Sequence, residues 1–251
     1  MGLVALTALG IGGATVIGAI IGFCFKKIDE KWNDGILGFA AGIMLAAAIF
    51  GLIIPSMEQA GKSGIWMTVA GVLCGALFLN FADKLTPHLH HLTGVKEEEH
   101  KNNAHLNKVM LFVLAIAIHN LPEGLAAGVG VGAGDMGNAL TISFGIALQN
   151  IPEGMVIISP MILSGVSKGR TFVIALMTGL VEVVGTFIGY FAAGISAAVL
   201  PFCLAFAGGT MLYVISDEMI PETHSHGYER LATYALLIGF LVMVLMDTFM
   251  A

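Results

Sequence analysis

Two six-residue stretches concentrate the chemistry of this sequence: HNLPEG at residues 119–124 and QNIPEG at residues 149–154. Each sets an amide three residues before a glutamate, and the first adds an imidazole four residues before it. Residues three and four apart share one face of an α-helix. His119, Asn120 and Glu123 therefore project from one stripe, and Gln149, Asn150 and Glu153 from another. A third glutamate, Glu182, stands in LMTGLVEVVGTF. Imidazole nitrogen with carboxylate and amide oxygens, and no thiolate, suits Zn²⁺, Fe²⁺, Mn²⁺ or Cd²⁺ better than Cu⁺.

The elements that must position these groups are membrane helices. Of 251 residues 57% are hydrophobic and 11% charged, with mean hydropathy +0.90, whereas about a quarter of a soluble domain is charged. At about 20 apolar residues per crossing, the chain divides into eight spans: 2–25, 35–57, 63–83, 107–131, 137–163, 171–197, 199–219 and 230–250. Both hexads and Glu182 fall near the middle of their spans. Spans four and five run antiparallel, so the hexads can meet at one depth. A carboxylate there costs roughly 2.5–3.5 kcal/mol to insert, and no lysine or arginine stands near the middle of any span. Protons or a bound cation must neutralise the three glutamates. Pro122 and Pro152 each remove a helical hydrogen bond, freeing the carbonyls of Ile118 and Leu148 as broken transporter helices do.

Composition also excludes. A formal charge of −6 and a pI near 5.7 are wrong for a nucleic-acid partner, which selects a basic face. Cys24, Cys74 and Cys203 are scattered among apolar residues and read as packing, not as a disulfide framework. No charge precedes Lys26, so residues 2–25 read as a retained span rather than a signal peptide. Lys26, Lys27 and Lys31, then Lys84, Lys96, Lys101 and Lys108, then Lys168 and Arg170, then Arg230 fall on one face, with Lys62 alone on the other. Basic residues accumulate on the cytoplasmic side, which places both termini outside. The expected organisation is a single transmembrane domain, 1–251, whose one long connection, at about 84–107, carries His88, His90, His91, His100 and His105. That cytoplasmic segment reads as mobile, and its histidines could collect metal.

Asp217, Glu218, Glu222, His224 and His226 gather at the cytoplasmic end of span seven, where they could pass an ion to the cytosol. Glu218 is the strongest single candidate.

At these motifs the sequence resembles the ZIP family of divalent-metal transporters, in particular its bacterial GufA-like branch. The likeness covers nearly the whole chain and includes both hexads, AGIMLAAAIFGLIIP in span two and AGGTMLYVISDEMIPETHSHG in span seven. It implies an all-α bundle of eight transmembrane helices with both termini outside, a multi-pass protein of the plasma (inner) membrane. It further implies a binuclear centre that holds the transported metal rather than a resident cofactor. Met44, His119, Glu123, Gln149 and Glu153 would hold the main ion, and Asn120, Glu153 and Glu182 a second. Asn150 stands where close relatives often have an aspartate that can bridge both ions, and Gly51 where relatives have a serine near the outer entrance. The family is thought to move metal into the cytosol, with a four-helix unit containing spans four and five sliding against the rest. The partners are then divalent metal ions and the lipid bilayer, and the glycine-rich faces permit a homodimer.

Two other readings compete. A metal-selective channel uses the same residues and differs only in how the ion crosses. An intramembrane zinc hydrolase lacks the HExxH spacing, and His119 is the one histidine inside a span, where hydrolytic zinc usually has two or three.

Overall fold

A computed structural model describes residues 1–24, 29–92, 104–163, 165–196 and 198–250, with the side chains of 82–92, 104–116, 119, 160, 163 and 250 left undescribed. Helices account for nearly all of it, and no strand occurs among the described residues. This follows from the solvent, since a lipid-buried backbone must satisfy its own N–H and C=O groups. In chain order the helices are α1 (Gly2–Gly22), α2 (Glu30–Ala46), α3 (Ile54–Leu92), α4 (Ala104–Gly132), α5 (Met136–Leu163), α6 (Lys168–Ala193), α7 (Leu200–Val214), α8 (Ile220–Thr223) and α9 (Glu229–Met250). Among the described residues six stretches are long and apolar enough to cross a membrane: Gly2–Gly22, Glu30–Phe81, Met136–Ser159, Lys168–Ala193, Leu200–Thr223 and Glu229–Phe249. Hydroxyls inside the helices, such as those of Thr141, Ser143 and Thr186, donate to the carbonyl one turn back and so lose their polarity to the backbone.

Three local features depart from the expected pattern. The link expected between spans two and three shrinks to one residue. Gly61 alone leaves the helical region, at φ +62°, a conformation glycine adopts without steric cost. Second, α2 runs into α3 through a π-helical stretch, Ala47–Ile53, and α7 into α8 through another, Ile215–Met219. Third, α3 stays helical to Leu92 and α4 begins at Ala104, so the histidine-bearing connection is helical at both ends. His88, His90 and His91 lie on α3 and His105 on α4 with side chains outside the description. His100, Lys26, Lys27, Lys96 and Lys101 lie outside the described residues altogether.

The helices sort into two sets. In one, α4 packs along α6, and α1 along α5 and α6; in the other, α2 packs along α9, and α3 along α7. Within each set backbones touch. A Cβ added to Gly128 would stand 2.0 Å from the Thr186 carbonyl oxygen, joining α4 to α6. One on Gly42 would stand 2.0 Å from that of Leu236, joining α2 to α9. Between the sets, where α2 and α9 face α5, the nearest atoms are side chains. A Cβ added to Gly145 would stand 2.6 Å from Met243 Sδ, and one added to Gly51 would stand 2.6 Å from Ile142 Cγ1.

Candidate metal centre

Four helices of the first set supply the centre. Asn120 and Glu123 come from α4, Gln149, Asn150 and Glu153 from α5, Glu182 from α6, and Thr15 from α1. The prolines do not end their helices, because α4 and α5 continue through Pro122 and Pro152. The stripes expected from three- and four-residue spacing therefore form. Asn120, Glu123, Gln149, Asn150 and Glu182 are at most 1% exposed and Glu153 is 6% exposed, so water solvates none of them.

Their polar atoms divide into two groups. Glu182 is fully engaged: Thr15 Oγ1 and Asn120 Nδ2 donate to its Oε1 at 2.6 and 2.7 Å, and Asn150 Nδ2 donates to Oε2 at 2.5 Å. Asn150 Nδ2 also reaches the Ile11 carbonyl, at 3.2 Å. One carboxyl group thus fastens α1, α4, α5 and α6 together through three hydrogen bonds. Asn150 explains itself here. An aspartate would set a second acceptor group against Glu182, whereas the amide donates to it.

The second group is unpaired. Both oxygens of Glu123, Oε1 and Nε2 of Gln149, and Oδ1 of Asn120 and of Asn150 are buried without a hydrogen-bond partner among the described residues. Gln149 lies beside the Glu123 carboxylate, with Glu153 and Glu182 in electrostatic range, yet no well-formed bond joins them. Five acceptor oxygens without donors is a large debt, since leaving even one buried polar group unsatisfied costs about 1–3 kcal/mol. A cation suits acceptors of this kind. No three His, Cys, Asp or Glu side chains among the described residues converge on one point as a cage. His119 stands on α4 with its side chain outside the description. Met44 is fully buried on α2, in the same apolar cluster as Ile142 and Ile146 of α5.

The expected exit residues separate. Asp217 and Glu218 sit on the π-helical stretch Ile215–Met219, Asp217 exposed and Glu218 half-buried. His224 is occupied as a strut: Nδ1 lies 2.9 Å from the Ile220 carbonyl, and Nε2 lies 3.3 Å from Thr233 Oγ1. His226 Nδ1 instead pairs with Asp34 at 2.9 Å, and its Nε2 lies 4.0 Å from Glu222. Burial disfavours the charged imidazole, but the hydrogen bond and charge of Asp34, with Glu222 and Glu30 beyond, outweigh it and raise the His226 pKa above the ordinary histidine value. Asp34 is fully buried and its Oδ2 has no partner among the described residues.

Sequence reasoning missed Thr15 and Asp34. Thr15 looks like a small residue on a glycine-rich helix. Asp34 looks like an ordinary interfacial charge, although it lies at the four-residue spacing of Gly38 and Gly42, the stripe that packs on α9.

A profile of the family described as ZIP Zinc transporter matches residues 96–247. Zinc transporter GufA of Myxococcus xanthus is 42% identical over 253 residues, covering 98% of this chain and 98% of the relative. Zinc transporter ZIPB of Bordetella bronchiseptica is 38% identical, covering 94% of this chain and 77% of the relative. Zinc transporter ZupT of Chlorobaculum parvum is 34% identical, covering 92% and 91%.

Proposed function

The chain belongs to the ZIP zinc-transporter family, and from its buried donor set we propose that it carries a divalent cation, zinc foremost, across the plasma membrane into the cytoplasm. The observation that carries this reading is the set of five acceptor oxygens, on Asn120, Glu123, Gln149 and Asn150, buried without donors. Glu123, Gln149 and Glu153 hold the ion in transit, with His119 and Met44 completing the ligands. Cd²⁺, Fe²⁺ and Mn²⁺ fit the same donors.

The centre works with one principal ion. Glu182 and the amide nitrogens of Asn120 and Asn150 satisfy each other, which removes the need for a second cation beside them. The pathway crosses an eight-span bundle with both termini outside. Gly61 divides the stretch Glu30–Phe81 into two crossings, and α4 supplies a further one. On the cytoplasmic side the ion leaves past Glu218 and Asp217 toward Glu222, while His224 is a strut and His226 is tied to Asp34.

Movement is by sliding of the α1, α4, α5 and α6 set against the other. The support is the difference in contact: backbones interlock within each set, and side chains meet between them. A fixed channel is the alternative, and it predicts flux that does not saturate with zinc.

The test is zinc uptake by purified protein in sealed vesicles, read with an internal zinc indicator. Saturable uptake by the unaltered chain, abolished in Glu123→Ala and in His119→Ala protein that still reaches the membrane, is the expected result. Normal uptake by either variant would overturn the assignment.

A further inference from the structure

Between the two helix sets lies a cavity of about 350 Å³, within the range of about 300–1,000 Å³ seen for ligand pockets. One wall belongs to the first set and is made by Leu121, Leu125 and Val129 of α4 with Ile188 and Ala192 of α6. The facing wall belongs to the second set: Phe78 of α3 with Phe202, Cys203 and Phe206 of α7. The aromatic wall is interlocked, with ring centroids 5.5 Å apart for Phe78 and Phe206 and 6.2 Å for Phe202 and Phe206.

Every lining side chain is apolar, so water gains no hydrogen bond inside, and apolar cavities stay dry and take up hydrocarbon. The rim faces outward on the bundle's apolar side, where Phe78 is 40% and Ile188 50% exposed. In a bilayer only acyl chains reach that side. We propose that this cavity is a binding site for a single lipid acyl chain, inserted as a wedge between the two helix sets.

The position gives the chain leverage. Leu121 is next to Asn120, which donates to Glu182, and α4 carries both the cavity wall and Glu123. Because the occupant touches both sets, its contacts are made in one register and lost in another. A ligand with such differential affinity shifts the population between registers. This second step rests on the sliding reading above; the site itself does not.

The test uses the full chain in lipid nanodiscs containing a phosphatidylcholine with a photoactivatable diazirine in mid-chain, and peptide mapping of the crosslinks. Labelling should concentrate on α4 and α7 peptides that contain Leu125 and Cys203. The filling variants Ala192→Phe and Cys203→Trp, one from each wall, should lose it several-fold while labelling of the lipid-exposed α9 peptide is unchanged. Unchanged cavity labelling in either variant, when its α9 labelling and elution volume match the unaltered chain, would overturn the site. Zinc uptake is read in the same proteins. Lost labelling with lowered uptake supports both site and wedge, whereas lost labelling with unaltered uptake upholds the site and overturns the wedge.

Discussion

The interior of each helix set and the seam between the sets are built by different rules. Inside, glycines remove the side chain that would hold two helices apart, so a carbonyl on one backbone lies where the next would have its Cβ, as for Gly128 on Thr186 and Gly42 on Leu236. Such packing suits lipid, where helix association relies on close approach rather than on a hydrophobic force. It also fixes register, because a backbone atom cannot move aside. At the seam the partners are flexible side-chain ends, Met243 and Ile142. Methionine in particular refills irregular space at low cost. The polar groups follow the same division, since the hydrogen bonds to Glu182 all stay within the first set.

The sharpest way to break this comparison is to place the same small side chain in both regions. Gly128→Ala drives its methyl group into the Thr186 carbonyl and should cost about 3 kcal/mol, the upper end for overpacking, so little folded protein is recovered. Gly145→Ala meets only the end of Met243 and should cost about 1 kcal/mol or less. Thermal melting of the two purified variants reads the difference. Equal losses would mean that seam and interior are equally rigid.

Glu182 tests the interior from its polar side. Glu182→Ala strands the donors of Thr15, Asn120 and Asn150, at about 1–3 kcal/mol for each buried group left unsatisfied. It should lower the melting temperature even without metal. Glu182→Gln keeps an acceptor for Asn120 and Thr15 and should lose less. A Glu182→Ala protein that melts normally but transports poorly would instead favour a ligand role for Glu182.

A third test lies within the second set, where His226 ties the segment after α8 to Asp34 of α2. Its raised pKa means that this link is complete below the ordinary histidine value of about 6.5. The link is lost as pH rises through the higher folded value. Melting temperature should therefore fall across that window by more in the unaltered chain than in His226→Ala. Parallel curves would remove the link as a source of stability.

What could be read from residues alone was whatever repeats with helical spacing. The two hexads, Glu182 and the apolar runs announce themselves because three- and four-residue periodicity and length are local properties. The π-helical stretches were not legible, since AAIFGLI contains nothing that distinguishes it from an α-helix; the extra residue is accommodated by neighbours that sequence does not show. Nor was the role of Asn150. Set beside relatives with aspartate it looks like a lost charge, and only the 2.5 Å contact with Glu182 makes it a donor. The contacts of His224 were equally hidden, because its partners Ile220 and Thr233 lie on separate helices.

The smallest effect belongs to the seam itself, which a hydrogen bond does cross. Asn138 Nδ2, in the first turn of α5, donates to the Gly51 carbonyl at 3.0 Å, and Gly51 lies in the π-helical stretch Ala47–Ile53. π-Helical turns often mark functional sites, and this one presents a carbonyl to the opposite set at the end of the bundle assigned to the outside. On the proposed sliding, the bond is made only while the sets stand in the present register, so it favours that register by the net value of one hydrogen bond, about 1 kcal/mol. Asn138→Ala should therefore shift the balance away from the present register by about fivefold with little change in melting temperature. The measurement is the rate at which a membrane-impermeant maleimide reacts with a cysteine placed at Gly51, compared with Asn138 intact and replaced. Gly51→Cys keeps the carbonyl, and its Cβ displaces only the side chain of Ile142, so donor and acceptor are both present in the reference protein. A rate that Asn138→Ala leaves unchanged would mean that the seam is held by its apolar side chains alone.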